Sequence, residues 1–454
     1  MGHVILERMR ARIPERELTV DPDAMGAYVS DQARFCPTGR PLALVRARSL
    51  ETIQTVLREA SAAKVPVVPR GAGTGLVGGA NASDGAIMLC LEQMTQILEL
   101  DPDGRMARVE AGVLNGQLDR AAREHGLRYA PDPASRDIST IGGNIATNAG
   151  GACCLAHGVT RDHVLSLRAV LADGSVIEPG RGTRKDVAGL DLTRLLIGSE
   201  GTLAVVVEAT VRLIPAPVAH GTLVALFPTL DSAGRAIVEL ARSERMSALE
   251  VMDRVTLTAV EEMTRMELDT SAAAMVLAQA ETSDVAEVMA WGESVAGRCG
   301  ASLCMSTLDP AEGELLMQAR RAALPALERL GQWLLDDVAV PVPKIPELLA
   351  LCEAAGKKHG LTVGTFGHAG DGNLHPTIIF DGQDRGQREA AKAVFDEILG
   401  GALELGGTIA GEHGVGQLKR EWLGRMRSSR ELELMRGIKR VFDPEHILNP
   451  GRAY

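Results

Sequence analysis

The stretch from Pro69 to Gly79, here called the first glycine loop, constrains the fold more than any other part of the chain. It carries five glycines and joins a predicted strand, Val65 to Pro69, to a buried strand predicted from Ala86 to Leu91. Glycine lets backbone N–H groups approach anionic oxygens closely, so a loop of this kind after a strand is typical of a phosphate site. The sequence therefore predicts that this loop binds a dinucleotide diphosphate.

Three of these glycines, Gly73, Gly75 and Gly78, have the Gly-x-Gly-x-x-Gly spacing of the Rossmann fingerprint. A Rossmann fold needs a helix directly after the loop, and little more than Asn81 to Gly85 separates this loop from the next strand. The Lys-Ser/Thr pair of a Walker A loop is missing as well. We therefore expect the nucleotide to bind outside both of these frameworks.

Two further glycine-rich stretches follow. The second glycine loop runs from Ile141 to Gly151, just beyond the turn Pro131-Asp-Pro133, and the third runs from Gly198 to Leu203 into a strand predicted from Ala204 to Leu213. Each stretch alone is explained equally well as a sheet-edge turn with glycines at positive φ. Three such stretches in one chain favour a bound ligand.

The segment His368-Ala-Gly-Asp-Gly-Asn-Leu-His375 is followed later in the chain by Glu412-His413-Gly414. The Asp-Gly-Asn turn predicts that His368 and His375 lie on the two flanks of one hairpin, and not on a helix with i, i+4 spacing. With Glu412 they form a set of nitrogen and oxygen ligands suited to zinc, manganese or iron with open positions. The alternative is that they are ordinary turn and surface histidines.

The length and charge of the chain limit the kinds of protein that it can be. A chain of 454 residues is too long for one core and predicts two or three domains, and a net charge of -11 argues against nucleic acid as a partner. The longest apolar run, Ser271 to Ala280, has about half the length of a membrane span, and residues 1–8 lack the apolar core of a signal peptide. We expect a cytoplasmic protein without a transmembrane segment, whose contact with the inner face of a membrane would be peripheral.

The cysteines are odd in number and form no C-x-x-C and no iron–sulfur spacing. They are expected to be free thiols, so no built-in cluster carries electrons out of the chain. The adjacent pair Cys153-Cys154 is better explained by two small buried thiols than by a redox device. The seven are Cys36, Cys90, Cys153, Cys154, Cys299, Cys304 and Cys352.

The periodicity of the chain predicts an α+β protein of two domains. Residues 1–36 are predicted to be a helical, charged lead-in, residues 37–216 a first domain of short strands and helices, and residues 217–454 a second domain. Pro215 and Pro217 mark the boundary, after which longer helices begin. The clearest predicted elements are a helix from Ser49 to Ala63 with Ser49 as N-cap, a strand from Thr222 to Phe227, and helices over Ser232–Arg242, Arg388–Leu405 and Ser429–Phe442.

These motifs resemble those of the FAD-dependent oxidases and dehydrogenases of the vanillyl-alcohol oxidase superfamily, which share a PCMH-type FAD-binding domain. The three glycine loops and the terminal Leu448-Asn-Pro-Gly451 carry the resemblance, which extends from about residue 20 to the end of the chain. The histidine segment and Glu412-His413-Gly414-Val-Gly416 are similar to one branch. That branch contains the glycolate oxidase flavoprotein subunit, D-lactate dehydrogenases that reduce cytochrome or quinone, and D-2-hydroxyglutarate dehydrogenase.

The resemblance implies a two-subdomain FAD-binding domain, an α+β cap domain with an antiparallel sheet and helices, and a C-terminal helical segment that returns to the flavin. It implies non-covalent FAD here, because the first glycine loop has no histidine for covalent attachment. By position, the residues that would contact FAD are Pro69, Arg70, Gly71, Ala72, Gly73, Thr74, Gly75, Gly78, Gly79, Pro131, Ile141, Gly142, Gly143, Asn144, Thr147, Gly150, Gly151, Glu200, Gly201 and Asn449.

The resemblance also implies roles in catalysis. His368, His375 and Glu412 would ligate the metal, which is most often zinc, with manganese and iron as alternatives, and His413 would be the base. Arg320 and Asn373 would hold the substrate carboxylate. A 2-hydroxy acid can chelate a metal, which lowers the pKa of its hydroxyl group, so that an imidazole with a reference pKa of about 6.5 takes the proton while the hydride passes to flavin N5.

The expected substrate follows from a departure from the family. The hydroxyglutarate enzymes resemble this chain but carry a threonine and a lysine where it has Leu324 and Leu335. An apolar lining cannot pair a second carboxylate, and burying one unpaired costs several kcal/mol. D-lactate, glycolate or a longer aliphatic monocarboxylate is therefore favoured over D-2-hydroxyglutarate. The placement of Arg320 is open, because Arg321 is its neighbour.

Two other classes of function stay open. A flavin-free metal hydrolase could use the same histidines and glutamate, but it leaves the three glycine loops unexplained. A non-catalytic FAD-binding subunit of an oxidase complex would not need a metal site. Because no NAD-binding module is visible, the expected electron acceptor is a quinone, a cytochrome, an electron-transfer flavoprotein or an iron–sulfur partner subunit, and a homodimer is compatible with the sequence.

Overall fold

A computed structural model describes residues 2–33 and 35–454, so Met1 and Arg34 of the expected lead-in lie outside the described residues. Short 3-10 turns lie at Glu15–Glu17, Val342–Lys344 and Ala369–Asp371. The α-helices are α1 Gly2–Arg10, α2 Pro22–Gly26, α3 Leu50–Ala63, α4 Asn115–Arg123, α5 Ile141–Thr147, α6 Cys154–His157, α7 Thr160–His163, α8 Leu192–Leu196, α9 Leu230–Ala241, α10 Arg254–Thr264, α11 Val285–Arg298, α12 Pro310–Arg321, α13 Ala323–Glu328, α14 Ile345–His359, α15 Arg385–Glu404, α16 Arg420–Met426 and α17 Ser429–Phe442.

The strands form four sheets. The β-strands are β1 Leu18–Thr19, β2 Ala43–Arg46, β3 Val67–Arg70, β4 Ile87–Cys90, β5 Ile97–Asp101, β6 Met106–Glu110, β7 Leu127–Arg128, β8 Val164–Val170, β9 Val176–Ile177, β10 Val205–Arg212, β11 Ile214–Pro215, β12 Gly221–Phe227, β13 Ala248–Asp253, β14 Ala274–Ala280, β15 Leu303–Thr307, β16 Gln332–Leu335, β17 Val338–Ala339, β18 Thr362–His368 and β19 Asn373–Phe380.

The chain divides into two compact units. The first comprises Met1–Gly150, Gly158–Ala216 and Glu412–Tyr454, and the second comprises Gly151–His157 and Pro217–Gly411. Residues 412–454, which the sequence places at the end of a second domain, therefore lie in the first unit. Within the described part of the chain, no helix combines the length and apolar character that crossing a membrane requires.

The first unit contains a four-stranded sheet with the order β1-β2-β4-β3, in which β4 pairs in parallel with both of its neighbours. Helix α3 connects β2 to β3, and the apolar spacing of this segment predicted a helix. Ser49 Oγ caps the helix by accepting a hydrogen bond from Thr52 N at 3.2 Å. Strand β1 pairs with β2, so the lead-in is not purely helical.

The other large sheet of the first unit has the order β5-β6-β10-β8-β9. Along β10, buried residues alternate with more exposed ones, which is the pattern of a strand with one face on a core. The four-stranded and five-stranded sheets each line a separate cluster of buried apolar residues. The first cluster also includes Val170, Val205 and Val207 of the five-stranded sheet, and a third, smaller cluster in the described residues contains Leu44, Val68 and Met88 of the four-stranded sheet.

The second unit is built on an eight-stranded sheet in which every pairing is antiparallel. Its strand order is β15-β12-β14-β13-β18-β19-β16, and β17 also pairs with β19. All residues of β12, β14 and β19 are buried, as expected of central strands with both faces covered. Helices on an antiparallel sheet confirm the predicted α+β class.

The second glycine loop is in part a helix, where the sequence favoured a turn or loop. Gly142 and Gly143 lie inside α5, and Thr140 caps that helix by accepting a hydrogen bond from Gly143 N at 3.2 Å. A Cβ on Gly142 would lie 2.7 Å from the Cβ of Ala111, so this glycine permits close packing of the helix and does not serve a positive φ. The signal missed in the sequence is the N-cap threonine before the glycines.

A buried carboxylate in the second unit predicts a pH-dependent stability. Asp253 accepts hydrogen bonds from Thr256 N and Thr365 N, both at 2.8 Å, and burial raises the pKa of Asp253 to about 6. A raised pKa favours the protonated carboxyl in the folded state, so this contribution to stability is present below about pH 4 and lost as the pH rises through about 6. Two pKa units correspond to about 3 kcal/mol at most.

Asp253→Asn should remove this dependence, because asparagine remains an adequate helix cap and does not titrate. We expect the melting temperature of the wild type, relative to that of the variant, to fall by several degrees between pH 4 and pH 7. Thermal unfolding of both proteins across this range measures the difference. A difference that stays constant with pH would contradict the assignment.

Candidate functional site

The first and third glycine loops and residues 141–150 of the second loop meet in the first unit. A Cβ on Gly71 of the first loop would collide with the hydroxyl of Thr140, which begins α5, and a Cβ on Gly201 of the third loop would lie 3.2 Å from Pro69. Within this arrangement Glu200 N donates a hydrogen bond to the carbonyl of the second loop's Ala146 at 2.8 Å. The structure thus brings together most of the residues that the sequence proposes as cofactor contacts.

The C-terminal segment lies beside these loops. Val67 N donates to Ile447 O at 2.7 Å, and Asn449 N donates to Val67 O at 2.8 Å, so the segment continues the sheet next to β3. The side-chain Nδ2 of Asn449 donates to Gly79 O at 2.9 Å and to Glu200 O at 2.7 Å. Asn449 therefore links the first loop to the third.

Two polar atoms among the loops fit a polar ligand. Within the described residues, Arg70 Nη1 and Asn449 Oδ1 are buried and have no hydrogen-bond partner. Gly73 has a φ of +74°, and its missing Cβ leaves the space that the Arg70 guanidinium occupies. An unpaired buried donor or acceptor costs about 1–3 kcal/mol, so these atoms suit a bound group with phosphate or ring oxygens and nitrogens.

Other proposed cofactor contacts have structural partners. Asn115, which sequence analysis missed, donates through Nδ2 to Pro131 O at 3.0 Å and to Asn144 Oδ1 at 3.2 Å. Asn144 in turn donates to Ser139 Oγ at 3.2 Å. These amides therefore hold the second loop in place, whereas Gly151 belongs to the second unit and not to the first.

The second unit carries the histidine hairpin, and the predicted hairpin is confirmed. Strands β18 and β19 pair antiparallel, with Phe366 opposite His375 and His368 opposite Asn373, and Gly372 in the turn has a φ of +79°. The two imidazole rings lie edge to face with centroids 5.3 Å apart. Two ligand nitrogens, one from each ring, lie within 4.8 Å of each other, which allows one ion to bind both.

Glu250 of β13 is a buried carboxylate that sequence analysis missed. It is 1% exposed, and its carboxylate lies 2.8 Å from His368 Nδ1 and 2.8 Å from Arg320 Nε. The contact with Arg320 is an ion pair without an aligned hydrogen bond at Nε. The available signal was a glutamate inside the apolar run Ala248–Met252, because a buried strand rarely carries an acid without a partner.

The structure distinguishes Arg320 from its neighbour Arg321. Arg320 is buried, and its guanidinium also lies over the ring of Phe366, 4.8 Å from the centroid. Arg321 lies at the surface and pairs with Glu314. Of the two arginines, Arg320 is the one that lies beside the histidine hairpin.

A second buried carboxylate, Asp337, lies beside His375. Its Oδ1 is 3.7 Å from His375 Nδ1 and accepts a hydrogen bond from Asn373 Nδ2 at 2.7 Å. Asn373 Nδ2 also donates to Val338 O at 3.0 Å, so both of its hydrogens have protein acceptors. Each imidazole of the hairpin thus has a buried carboxylate facing its Nδ1.

The proposed base, His413, lies two residues after Gly411 in the chain. Gly411, the last residue of the second unit, packs so closely that a Cβ on it would collide with Asn373 and would lie 2.9 Å from Asp337 Oδ1. Glu412 and His413 then begin the last segment of the first unit, and His413 Nε2 is 3.6 Å from Glu412 Oε1. Consecutive Cα atoms are about 3.8 Å apart, which keeps Glu412 near Gly411.

Two family models match the chain. Residues 41–180 match the FAD binding domain, and residues 216–453 match the C-terminal domain of FAD linked oxidases.

Several curated proteins are similar over nearly the whole chain. Glycolate oxidase subunit GlcD from Bacillus subtilis (strain 168) is 40% identical, over 91% of this chain and 89% of that protein. D-lactate dehydrogenase from Archaeoglobus fulgidus is 38% identical, over 90% of each chain. D-2-hydroxyglutarate dehydrogenase from Xanthomonas citri pv. viticola is 34% identical, over 98% of this chain and 96% of that protein.

The fold is also found among solved structures. Substrate-bound p-cresol methylhydroxylase matches with a TM-score of 0.81 and 18% identity, over 99% of this chain and 96% of that chain. This likeness supports the predicted PCMH-type fold.

Proposed function

Because the chain belongs to the FAD-linked oxidases and is therefore an FAD-linked oxidoreductase, we propose that it oxidises a D-2-hydroxy acid to the 2-oxo acid at a metal centre on the histidine hairpin. Relatives named glycolate oxidase subunit, D-lactate dehydrogenase and D-2-hydroxyglutarate dehydrogenase support a hydroxy-acid substrate. D-lactate, glycolate or a longer aliphatic monocarboxylate is the favoured substrate.

One observation carries the metal part of this proposal. His368 Nδ1 lies 2.8 Å from Glu250, and His375 Nδ1 lies 3.7 Å from Asp337, with both carboxylates buried. Metal-binding histidines commonly donate one ring N–H to a carboxylate, which orients the other nitrogen toward the ion. The 2.8 Å contact supports Nε2 of His368 as a ligand atom, whereas the 3.7 Å contact of His375 Nδ1 is longer than a hydrogen bond and places Asp337 beside the ring as a charge partner.

Glu412 is proposed as the third ligand. It supplies a carboxylate and follows Gly411, which packs against Asn373 and Asp337. Two imidazoles and a carboxylate suit zinc, manganese or iron with positions left open for substrate. When bound, such an ion supplies Lewis-acid character that favours ionisation of an alcohol.

FAD is proposed to bind without a covalent bond where the three glycine loops meet. Arg70 Nη1 and Asn449 Oδ1 would supply a donor and an acceptor, and the glycines of the first loop would bring backbone N–H groups close to the diphosphate. When bound, FAD accepts the two electrons of an alcohol oxidation.

The remaining roles belong to side chains around the substrate. His413 would take the hydroxyl proton, and Arg320 would bind the carboxylate, with Glu250 holding the guanidinium in place. Both hydrogens of Asn373 Nδ2 go to Asp337 and Val338, so this side chain has no N–H group left to donate to a substrate carboxylate, contrary to the role that the resemblance implies. Its Oδ1 can accept a hydrogen bond from substrate.

The preference for a monocarboxylate over a dicarboxylate substrate is based on two apolar side chains. Leu335 is buried in β16, and Leu324 is half-buried in α13. Neither side chain can pair a second carboxylate, which would cost several kcal/mol to bury alone. D-2-hydroxyglutarate is therefore the weaker candidate, although a dehydrogenase of that acid is among the relatives.

A dye-reduction screen tests the proposal. We expect reduction of an artificial acceptor with D-lactate, glycolate and D-2-hydroxybutyrate, little with the L-acids or D-2-hydroxyglutarate, and loss of the rate after chelation. Restoring zinc or manganese to the chelated protein is the control, since it separates metal loss from denaturation. A preference for D-2-hydroxyglutarate would overturn the substrate class, and zero turnover with every acid by a flavin-loaded protein would point to a non-catalytic subunit.

A further inference from the structure

The backbone after His413 forms a small anion-binding turn that is filled from within the protein. Gly414 and Gly416 have φ values of +87° and +51°, and the N–H groups of Val415 and Gly416 donate to the same carboxylate. Val415 N donates to Glu200 Oε1 at 2.8 Å, and Gly416 N donates to Glu200 Oε2 at 2.7 Å. Successive N–H groups in such a turn form a nest for an anion, and the anion here is a side chain of the third glycine loop.

Glu200 is costly to place there. It is 8% exposed, and burial raises its pKa, while the hydrogen bonds from Val415 and Gly416 oppose the rise. A buried carboxylate without close partners costs several kcal/mol, so its two oxygens need the two N–H groups. The charge of Arg452 also favours the ionised carboxylate, but the two hydrogen bonds that offset the cost of burial come from the Val415–Gly416 backbone.

The same segment is attached to the first glycine loop. Gln417 N and Leu418 N donate to Val77 O at 2.8 and 3.1 Å. A Cβ on Gly416 would collide with that carbonyl, and a Cβ on Gly414 would lie 3.0 Å from Glu200 Oε1. Both glycines are therefore required for the close approach of the segment to the loops.

We infer that Glu200 is a positioning residue that holds the His413 segment in register with the glycine loops, so that the base has one fixed place relative to the cofactor site. The inference rests on the proposed role of His413. Glu200 itself acts through the backbone of Val415 and Gly416 and not on the substrate. A displacement of about 1 Å in a reacting group can cost about 100-fold in rate.

Glu200→Gln tests this role, because a glutamine offers one acceptor oxygen and turns an NH₂ group toward the other backbone N–H. We expect amide hydrogens of Val415 and Gly416 to exchange at least about tenfold faster, and kcat to fall about 10- to 100-fold with KM within about twofold. Flavin absorbance and melting temperature should show that the fold and cofactor persist. Glu208→Gln, which removes a carboxylate from a surface ion-pair cluster on β10, is the matched control.

Failure of this inference can be distinguished from failure of the proposed function. Unchanged exchange at residues 415 and 416, or faster exchange with an unchanged kcat, would overturn the inference. If the wild type oxidises no hydroxy acid, the proposed function fails, but the exchange experiment still decides whether Glu200 holds the segment. If Glu200→Gln does not fold, Glu200→Asp keeps the charge with a shorter reach, and it should give a reduced kcat with normal flavin content; a wild-type kcat there would overturn the inference.

Discussion

Replacing His413 with asparagine is expected to lower kcat by about 10²- to 10⁴-fold, which is the usual contribution of a general base. Asparagine keeps a polar side chain of similar reach but cannot accept a proton near neutral pH. Flavin absorbance and metal content should stay at wild-type levels, because neither cofactor site as proposed includes this side chain. Steady-state turnover with the best substrate of the dye-reduction screen measures the effect.

The control for this variant is His125→Asn. His125 is exposed in the turn before β7 and lies outside the proposed site, so its replacement should leave turnover unchanged. Wild-type rates in His413→Asn would exclude His413 as the base. A loss of flavin in that variant would instead mean that the residue supports the cofactor site.

Replacing His375 with alanine is expected to abolish metal binding and activity while the yellow flavin remains. Even the loss of an outer partner of a metal ligand costs about 10- to 100-fold in affinity, so the loss of one of two imidazole ligands should cost more. The flavin should persist because the loops that would hold it lie in the first unit, whereas His375 lies in the second. Metal analysis and the flavin absorbance of the same sample give both stoichiometries.

Two further variants make this result specific. His359→Ala removes a histidine of the second unit that pairs with Glu397 near the surface, and it should keep its metal. His375→Asn fills most of the ring's volume next to Phe366, so it separates ligand loss from a packing defect. Metal content that stays at the wild-type level in both His375 variants would exclude His375 as a ligand.

Local patterns predicted the elements well. The helix Ser429–Phe442 and the capped helix after Ser49 have the boundaries that apolar spacing and N-cap residues suggested. The His368–His375 hairpin follows from its Asp-Gly-Asn turn. Such features depend on residues within a few positions of one another, and the sequence displays them directly.

The missed features depend on distant parts of the chain. Glu250 precedes His368 by 118 residues, and Asp337 precedes His375 by 38. Neither pair has a short sequence spacing that could predict the contact. The order of the strands brings them together, because β13 pairs with β18 and β17 pairs with β19. Helix α5 was missed for a different reason, since glycine-rich sequence resembles a loop until a packing partner such as Ala111 is known.

By itself, the sequence determined the α+β class, the glycine loops, the histidine hairpin and the family resemblance, because motifs and short-range periodicity encode them. Only the tertiary structure decided that Arg320 and not Arg321 lies beside Glu250, that the hydrogens of Asn373 Nδ2 go to Asp337 and Val338, and that Glu200 holds the backbone after His413. Buried charges must find partners wherever the sheet register and the returning C-terminal segment place them. The partners of Arg320, Asn373 and Glu200 therefore depend on packing between distant parts of the chain, and local sequence patterns do not predict them.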